Sequence, residues 1–276
     1  MKKQFDHRVM SSFLLYLNNR LLTSGEAYSA GTGLFYPVNS EYTNGYSYAL
    51  PFKQLVNDES VAGATVMTGV YVNSNYVTPG TSGLLSINHD QGTVEFDSDM
   101  SAHEISGSFS VKEASIYLSM DTDESLIFQN KYFKNSKYNQ TLSGLSPNTY
   151  SLPAIFIKKR GGANIPFALG NTDMTRLDVR AVVIADNPYT TDAIASIFKD
   201  TYFRRFDFVD DPPFDVRGGY TGATYNYTGE TDNSLNGPLI ESVSESTIQA
   251  KGDYQSVNND LNVTFIDFEI NYVRSH

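Results

Sequence analysis

Cysteine and tryptophan are both absent from the 276-residue chain. Without cysteine there is no disulfide framework, no thiol nucleophile and no cysteine-ligated zinc. Bases are scarce: 20 Lys and Arg face 31 Asp and Glu, a net charge of −11. Affinity for nucleic acid comes from Lys and Arg displacing counterions, so this balance argues against specific DNA recognition. No run reaches the roughly 18 apolar residues of a membrane span. Met1-Lys2-Lys3 is followed at once by Asp6, His7 and Arg8, which spoils a secretory signal. His7, His89, His103 and His276 include no pair at a metal-binding spacing. A nucleophile elbow, a phosphate loop and a dinucleotide-binding glycine turn are likewise missing. The expectation is a protein that is not an enzyme, with no catalytic or metal residues and no cofactor.

What is present is the composition of a globular protein, 40% hydrophobic and 18% charged, with 19 Tyr and 17 Phe. The clearest signal lies at 177–206. Leu177, Val179, Ala181 and Val183 share a strand face; the other begins with Asp178 and Arg180 and turns apolar at Val182 and Ile184. That pattern predicts a strand covered on one side at its start and on both at its end. Asp186-Asn187-Pro188 breaks it. A helix capped by Thr190 or Thr191 follows, with Ala193, Ile194, Ile197, Phe198, Thr201 and Tyr202 on one stripe. Burying Ile194, Ile197, Phe198 and Tyr202 is worth roughly 6–12 kcal/mol. Fixing about 15 residues costs more, so the helix needs a sheet beneath it.

A second amphipathic helix is predicted over 5–22, with Val9, Met10, Phe13, Leu14, Leu17 and Leu21 as its stripe and Gly25 at its end. Residues 28–52 show no period. Their tyrosines (Tyr36, Tyr42, Tyr46 and Tyr48) fit either a subunit interface or a loop over the chain's own core. Residues 61–133 read as short strands, with hairpins at 70–77 and 84–96 and strands at 105–111, 115–120 and 126–133. Asp121-Thr122-Asp123-Glu124-Ser125 opens like a calcium loop but has Leu126 and Tyr132 where Gly and Glu are needed, and so reads as a solvated turn. A strand at 152–158 leads into a basic loop, Lys158-Lys159-Arg160-Gly161-Gly162. A long loop at 218–238 carries Tyr220, Tyr225 and Tyr227, further interface candidates. The last strand, 261–273, changes phase after Phe265, the pattern of a bulge or bend. The resulting fold class is α+β: two amphipathic helices on a mainly antiparallel sheet (1–60 and 150–276), with an inserted all-β module, a small sandwich or barrel, at 61–149.

Charge is segregated. Residues 207–269 hold 12 acids and two bases, whereas 150–206 hold eight bases and five acids. Asp207, Asp210, Asp211 and Asp215 surround Pro212-Pro213 as an acidic loop, with nothing to raise the pKa of one of them for paired-carboxylate chemistry.

The helix at 5–22, the element at 176–206 and the closing strand at 262–273 together resemble tailed-bacteriophage neck proteins, the head–tail connector and tail-terminator group. The β stretch 69–96 is similar to modules of phage structural proteins. The resemblance implies a virion protein assembled in the host cytoplasm, a homo-oligomeric ring that joins head to tail or terminates the tail tube. Portal, tail-tube or sheath proteins would be its partners, and DNA would pass without specific binding. In such a ring Asp207, Asp210, Asp211 and Asp215 would face the lumen, and Lys158, Lys159, Arg160, Arg204 and Arg205 an acidic partner. The alternative is a carbohydrate- or receptor-binding β module.

Overall fold

In chain order, helix α1 (Phe5–Ser24) leads into β1 (Tyr28–Leu34), β2 (Tyr36–Val38), β3 (Tyr46–Ala49), β4 (Val70–Val72), β5 (Asn75–Val77), β6 (Leu84–Asn88), β7 (Thr93–Phe96) and β8 (Ile105–Lys112). Next come β9 (Ser115–Leu118), the short α2 (Asp123–Phe128), β10 (Lys131–Lys134), β11 (Thr149–Leu152), β12 (Ala154–Ala168) and β13 (Thr172–Ala185). Helices α3 (Pro188–Lys199) and α4 (Tyr227–Glu230) precede β14 (Leu239–Thr247) and β15 (Asn262–Ser275). The computed structural model describes residues 5–38, 46–134, 149–168, 172–215, 219–230, 237–247 and 261–275. The class is mixed α/β, mostly sheet with few helices.

The main sheet has five strands in the order β14-β15-β13-β12-β9, antiparallel except for the β12–β9 pair. Both faces of its inner half are covered. On one face Ile155, Ile157, Val179, Val183 and Ile266 share a core with Phe13 and Leu17 of α1 and Ile194 and Phe198 of α3. On the other, Phe156, Val182, Ile184, Val263 and Phe265 meet Leu126, Tyr132 and Tyr150. Asp178 and Arg180 stand where this second cover ends, as their place in the alternating pattern requires.

Double cover also explains the phase change in β15. The strand runs against β13 without a register shift, so there is no bulge in it. Val263 and Phe265 serve one core and Ile266, Phe268 and Ile270 the other. The irregularities of this sheet fall on other strands, at Ile240/Ser242 in β14 and at Lys159/Gly161 and Pro166/Ala168 in β12.

α1 departs from a surface helix. Every residue from 9 to 19 is buried, including Ser11, Ser12, Asn18 and Asn19. A helix covered on all sides must satisfy its polar groups within the fold. Ser12 Oγ accepts from the Val209 amide at 3.1 Å, Asn18 Nδ2 donates to Tyr225 Oη at 2.7 Å, and Asn19 Nδ2 to Asp58 Oδ2 at 2.9 Å. α3 is capped by Asn187, whose Oδ1 accepts from the Thr190 amide at 2.8 Å, with Pro188 as its first residue. It stops at Lys199, which leaves Tyr202, expected on the buried stripe, 59% exposed.

Two four-stranded sheets, β1-β8-β4-β5 and β2-β3-β7-β6, enclose a second core of Phe35, Leu50, Leu55, Val94, Phe96 and Phe109. This sandwich-like module begins at β1, so the strands at 28–49, read as unpatterned, belong to it and not to the helix-bearing part. Its other boundary also moves. β9 joins the main sheet, and 123–128, expected as a turn running into a strand, forms α2 with Thr122 as its cap.

Candidate functional site

The tyrosines proposed for an interface divide. Tyr36 and Tyr46 are 45% and 49% exposed on neighbouring strands of the sandwich. Tyr48 is instead buried, donating to Asp99 Oδ1 at 3.0 Å and accepting from the Met100 amide at 2.7 Å. Tyr42 lies outside the described residues. Tyr225 and Tyr227 are buried and Tyr220 half-buried, against the expectation of an outward-facing loop.

The described part of that loop is a strap across the junction between α1 and the sandwich. Asn57 Nδ2 donates to Tyr220 Oη at 2.8 Å and to the Ala223 carbonyl at 2.7 Å. Tyr225 exchanges backbone bonds with the 57–59 segment, and the Tyr227 amide reaches Asp58 Oδ1 at 3.1 Å. His89 faces the Gly222 carbonyl with Nδ1 at 2.8 Å and the Met67 carbonyl with Nε2 at 2.9 Å. Burial lowers the His89 pKa, although both carbonyl contacts oppose it. Burial likewise holds the Tyr220 and Tyr225 hydroxyls protonated well above the ordinary tyrosine range. Aromatic rings dense enough to suggest an interface here hold two halves of one chain together.

The basic segment also moves. Lys158, Lys159 and Arg160 lie inside β12, not in a loop. Lys158 Nζ pairs with Asp123 at 2.7 Å, Lys159 pairs with Asp6 of α1, and Arg160 approaches Asp267 at 3.4 Å. Arg204 is exposed, and Arg205 Nη1 donates to the Gly237 carbonyl at 2.7 Å. Of the acids, Asp207 is half-buried, and Asp210 lies 3.3 Å from Arg8. Asp211 is exposed, and Asp215 accepts from the Gly219 amide at 2.7 Å.

The outer half of the main sheet carries a charged ladder whose pairing no local pattern announces. Arg180 grips Asp267 with two bonds of 2.7 Å, reaches Asp123 at 2.9 Å and lies over the Phe265 ring at 4.6 Å. Arg176 reaches Glu269 at 3.0 Å and Asp178 at 3.3 Å. Burial pushes the Asp123 and Asp267 carboxyls up, but the cations beside them outweigh it and hold both below the usual range. The segregated charge of the sequence is thus partly neutralised across strands. The signal was there, in alternating charges at 178 and 180 and again at 267 and 269, but the partners are 87 residues apart.

β12, β13 and β15 continue beyond this ladder to total lengths of 15, 14 and 14 residues, past the usual strand range of about 3–10. β9 pairs only with 154–157, so along 159–166 one edge of β12 has no strand beside it among the described residues. This stretch is almost wholly exposed, and Ile165 and Val273 leave apolar surface at its end. A polar groove of about 400 Å³ lies where Arg160 and Arg176 meet Ser242 and Ser244. Among the described residues no group of three or more His, Asp or Glu is placed to hold a metal, and no helix is long and apolar enough to cross a membrane. No protein-family model matches the chain, and no curated protein matches it significantly.

Proposed function

We propose that this chain is a structural, non-catalytic subunit of a tailed-phage neck, one copy of a ring that joins the head to the tail or terminates the tail tube. The observation that carries the reading is the overhang of β12, β13 and β15. An edge strand with unpaired amides and carbonyls is a template for another chain, and proteins that do not use such an edge shorten or cover it. Here three strands are lengthened together, and the outer stretch of β12 leaves Ile165 exposed near its end. Two helices packed on one face of the sheet supply the rigid body from which they project.

In this reading the exposed Asp210, Asp211 and Asp215 face the DNA path and repel its phosphates within a Debye length of about 8 Å. Identical copies of the chain and a portal, tail-tube or sheath protein are the partners, and the virion is the setting. Mass photometry of the purified chain, alone and mixed with portal or tail-tube protein, tests it. The expected result is mostly monomer alone and a single larger closed species on the partner; a monomer under both conditions contradicts it.

One observation favours a second reading, a carbohydrate-binding β module. Tyr71 and Tyr76, exposed by 42% and 51%, pair at 5.1 Å on the sandwich edge, beside an Asn73–His103 contact of 2.7 Å. Glycan binding abolished by Tyr76→Ala would replace the ring reading.

A further inference from the structure

We infer that the chain associates head to tail through an aromatic knob beside β14, which enters an apolar groove beside β9 and β12 of a second copy. The inference deepens the ring reading and rests on it for the identity of the partner. The knob is Tyr202 and Phe203, 59% and 65% exposed, with ring centroids 6.0 Å apart. Phe203 takes the left-handed backbone (φ 58°), a conformation bulky residues avoid. It is pinned there because its amide donates to the Ile240 carbonyl at 2.9 Å, while the Ile240 amide returns a bond to Arg204 at 2.9 Å. The β14 edge therefore fixes the knob, and exposed Arg204 follows it directly.

The groove, about 530 Å³, lies along α3 and is lined by Leu21, Leu152, Pro153, Ala193 and Ile197. Glu113 and Asp186 put carboxylates among its lining residues. An apolar slot with acidic members fits aromatic rings followed by an arginine. The groove takes Ala193 and Ile197 from α3 and the knob follows that helix's C-terminal end, so they are two distinct surfaces of one chain. A head-to-tail contact joins unlike surfaces of successive copies. It repeats from copy to copy and yields a ring when the rotation closes.

Because the chain has no cysteine, two single-cysteine variants, Phe203→Cys and Ala193→Cys, test the contact in the full chain. Under mild oxidation the equimolar mixture should cross-link about tenfold faster or more than either variant alone, since docking raises the local thiol concentration. Arg204→Glu on the first variant, or Glu113→Lys on the second, should slow the mixed reaction about two- to fivefold, and both together should restore it. Equal rates in the mixture and the separate variants, with melting temperatures unchanged, would overturn the knob-and-groove contact. A ring that forms without this cross-link removes the contact and leaves the ring reading standing. A cross-link that builds only open chains or reciprocal dimers keeps the contact and removes the ring.

Discussion

Arg180 shows how much one side chain carries. It is 15% exposed, holds Asp267 (31%) and Asp123 (27%) together, and covers the Phe265 ring. Arg180→Met leaves two carboxylates close together at the edge of a core. The expected loss is roughly 2–4 kcal/mol, somewhat below the full effect of breaking a wholly buried pair. Urea denaturation at neutral pH measures it, and a loss under about 0.5 kcal/mol, the range of an ordinary surface change, would contradict the role. A second residue-scale prediction concerns pH. Burial pulls the ammonium groups of Lys53 and Lys112 down to about 8, only partly offset by Asp90. Between about 8 and 10.5 the unfolded chain holds protons that the folded chain has released, so stability rises with pH across that window. Above the ordinary tyrosine value of 10.0 the sign reverses, because burial keeps Tyr220, Tyr225 and Tyr227 protonated in the fold while the unfolded chain ionises. Denaturation midpoints should therefore climb from pH 7.5 to 9.5 and fall beyond about pH 10; a flat or falling profile below 9.5 would refute the assignment.

At the scale of elements, the strap at 219–227 depends on Gly222. Its φ is +72°, and an added Cβ would sit 2.1 Å from Asn88 Oδ1 and 3.1 Å from the His89 amide. Gly222→Ala should cost about 1–3 kcal/mol and open the strap to protease, since both strain and a displaced Asn88 oppose it. Unchanged melting and cleavage would show that the strap is not tied there. Local pattern made some elements readable: hairpins 70–77 and 84–96 and strand 177–184 fall where alternation and turn residues put them. What failed depended on distant partners. Lys158, Lys159 and Arg160 read as a loop because three charges and two glycines suggest solvent, and nothing nearby announces Asp6, Asp123 or Asp267. β1 contains Gly31 and Gly33 and has no fully buried residue, so no period marks it; β8 supplies its pairing. β14 carries no readable strand pattern, because Glu241, Ser242, Ser244 and Glu245 mask the few positions that pack. The strap was missed for the same reason, its tyrosines being buried by Asn18, Asn57 and Asp58 from far away in the chain.

For the whole molecule, the helix-bearing sheet and the sandwich are locked through α1 and the strap, while 159–166 of β12 and Val273 of β15 stand clear of both cores. A rigid body with a long unpaired edge is what an assembling subunit presents to its neighbours. Hydrogen–deuterium exchange of residues 159–166 and 273–275, compared between the isolated chain and the chain mixed with portal or tail-tube protein, reads this directly. Fast exchange is expected along this stretch in the isolated chain and strong protection once copies associate, with the inner halves protected in both states. Identical exchange at 159–166 in the two samples would contradict it.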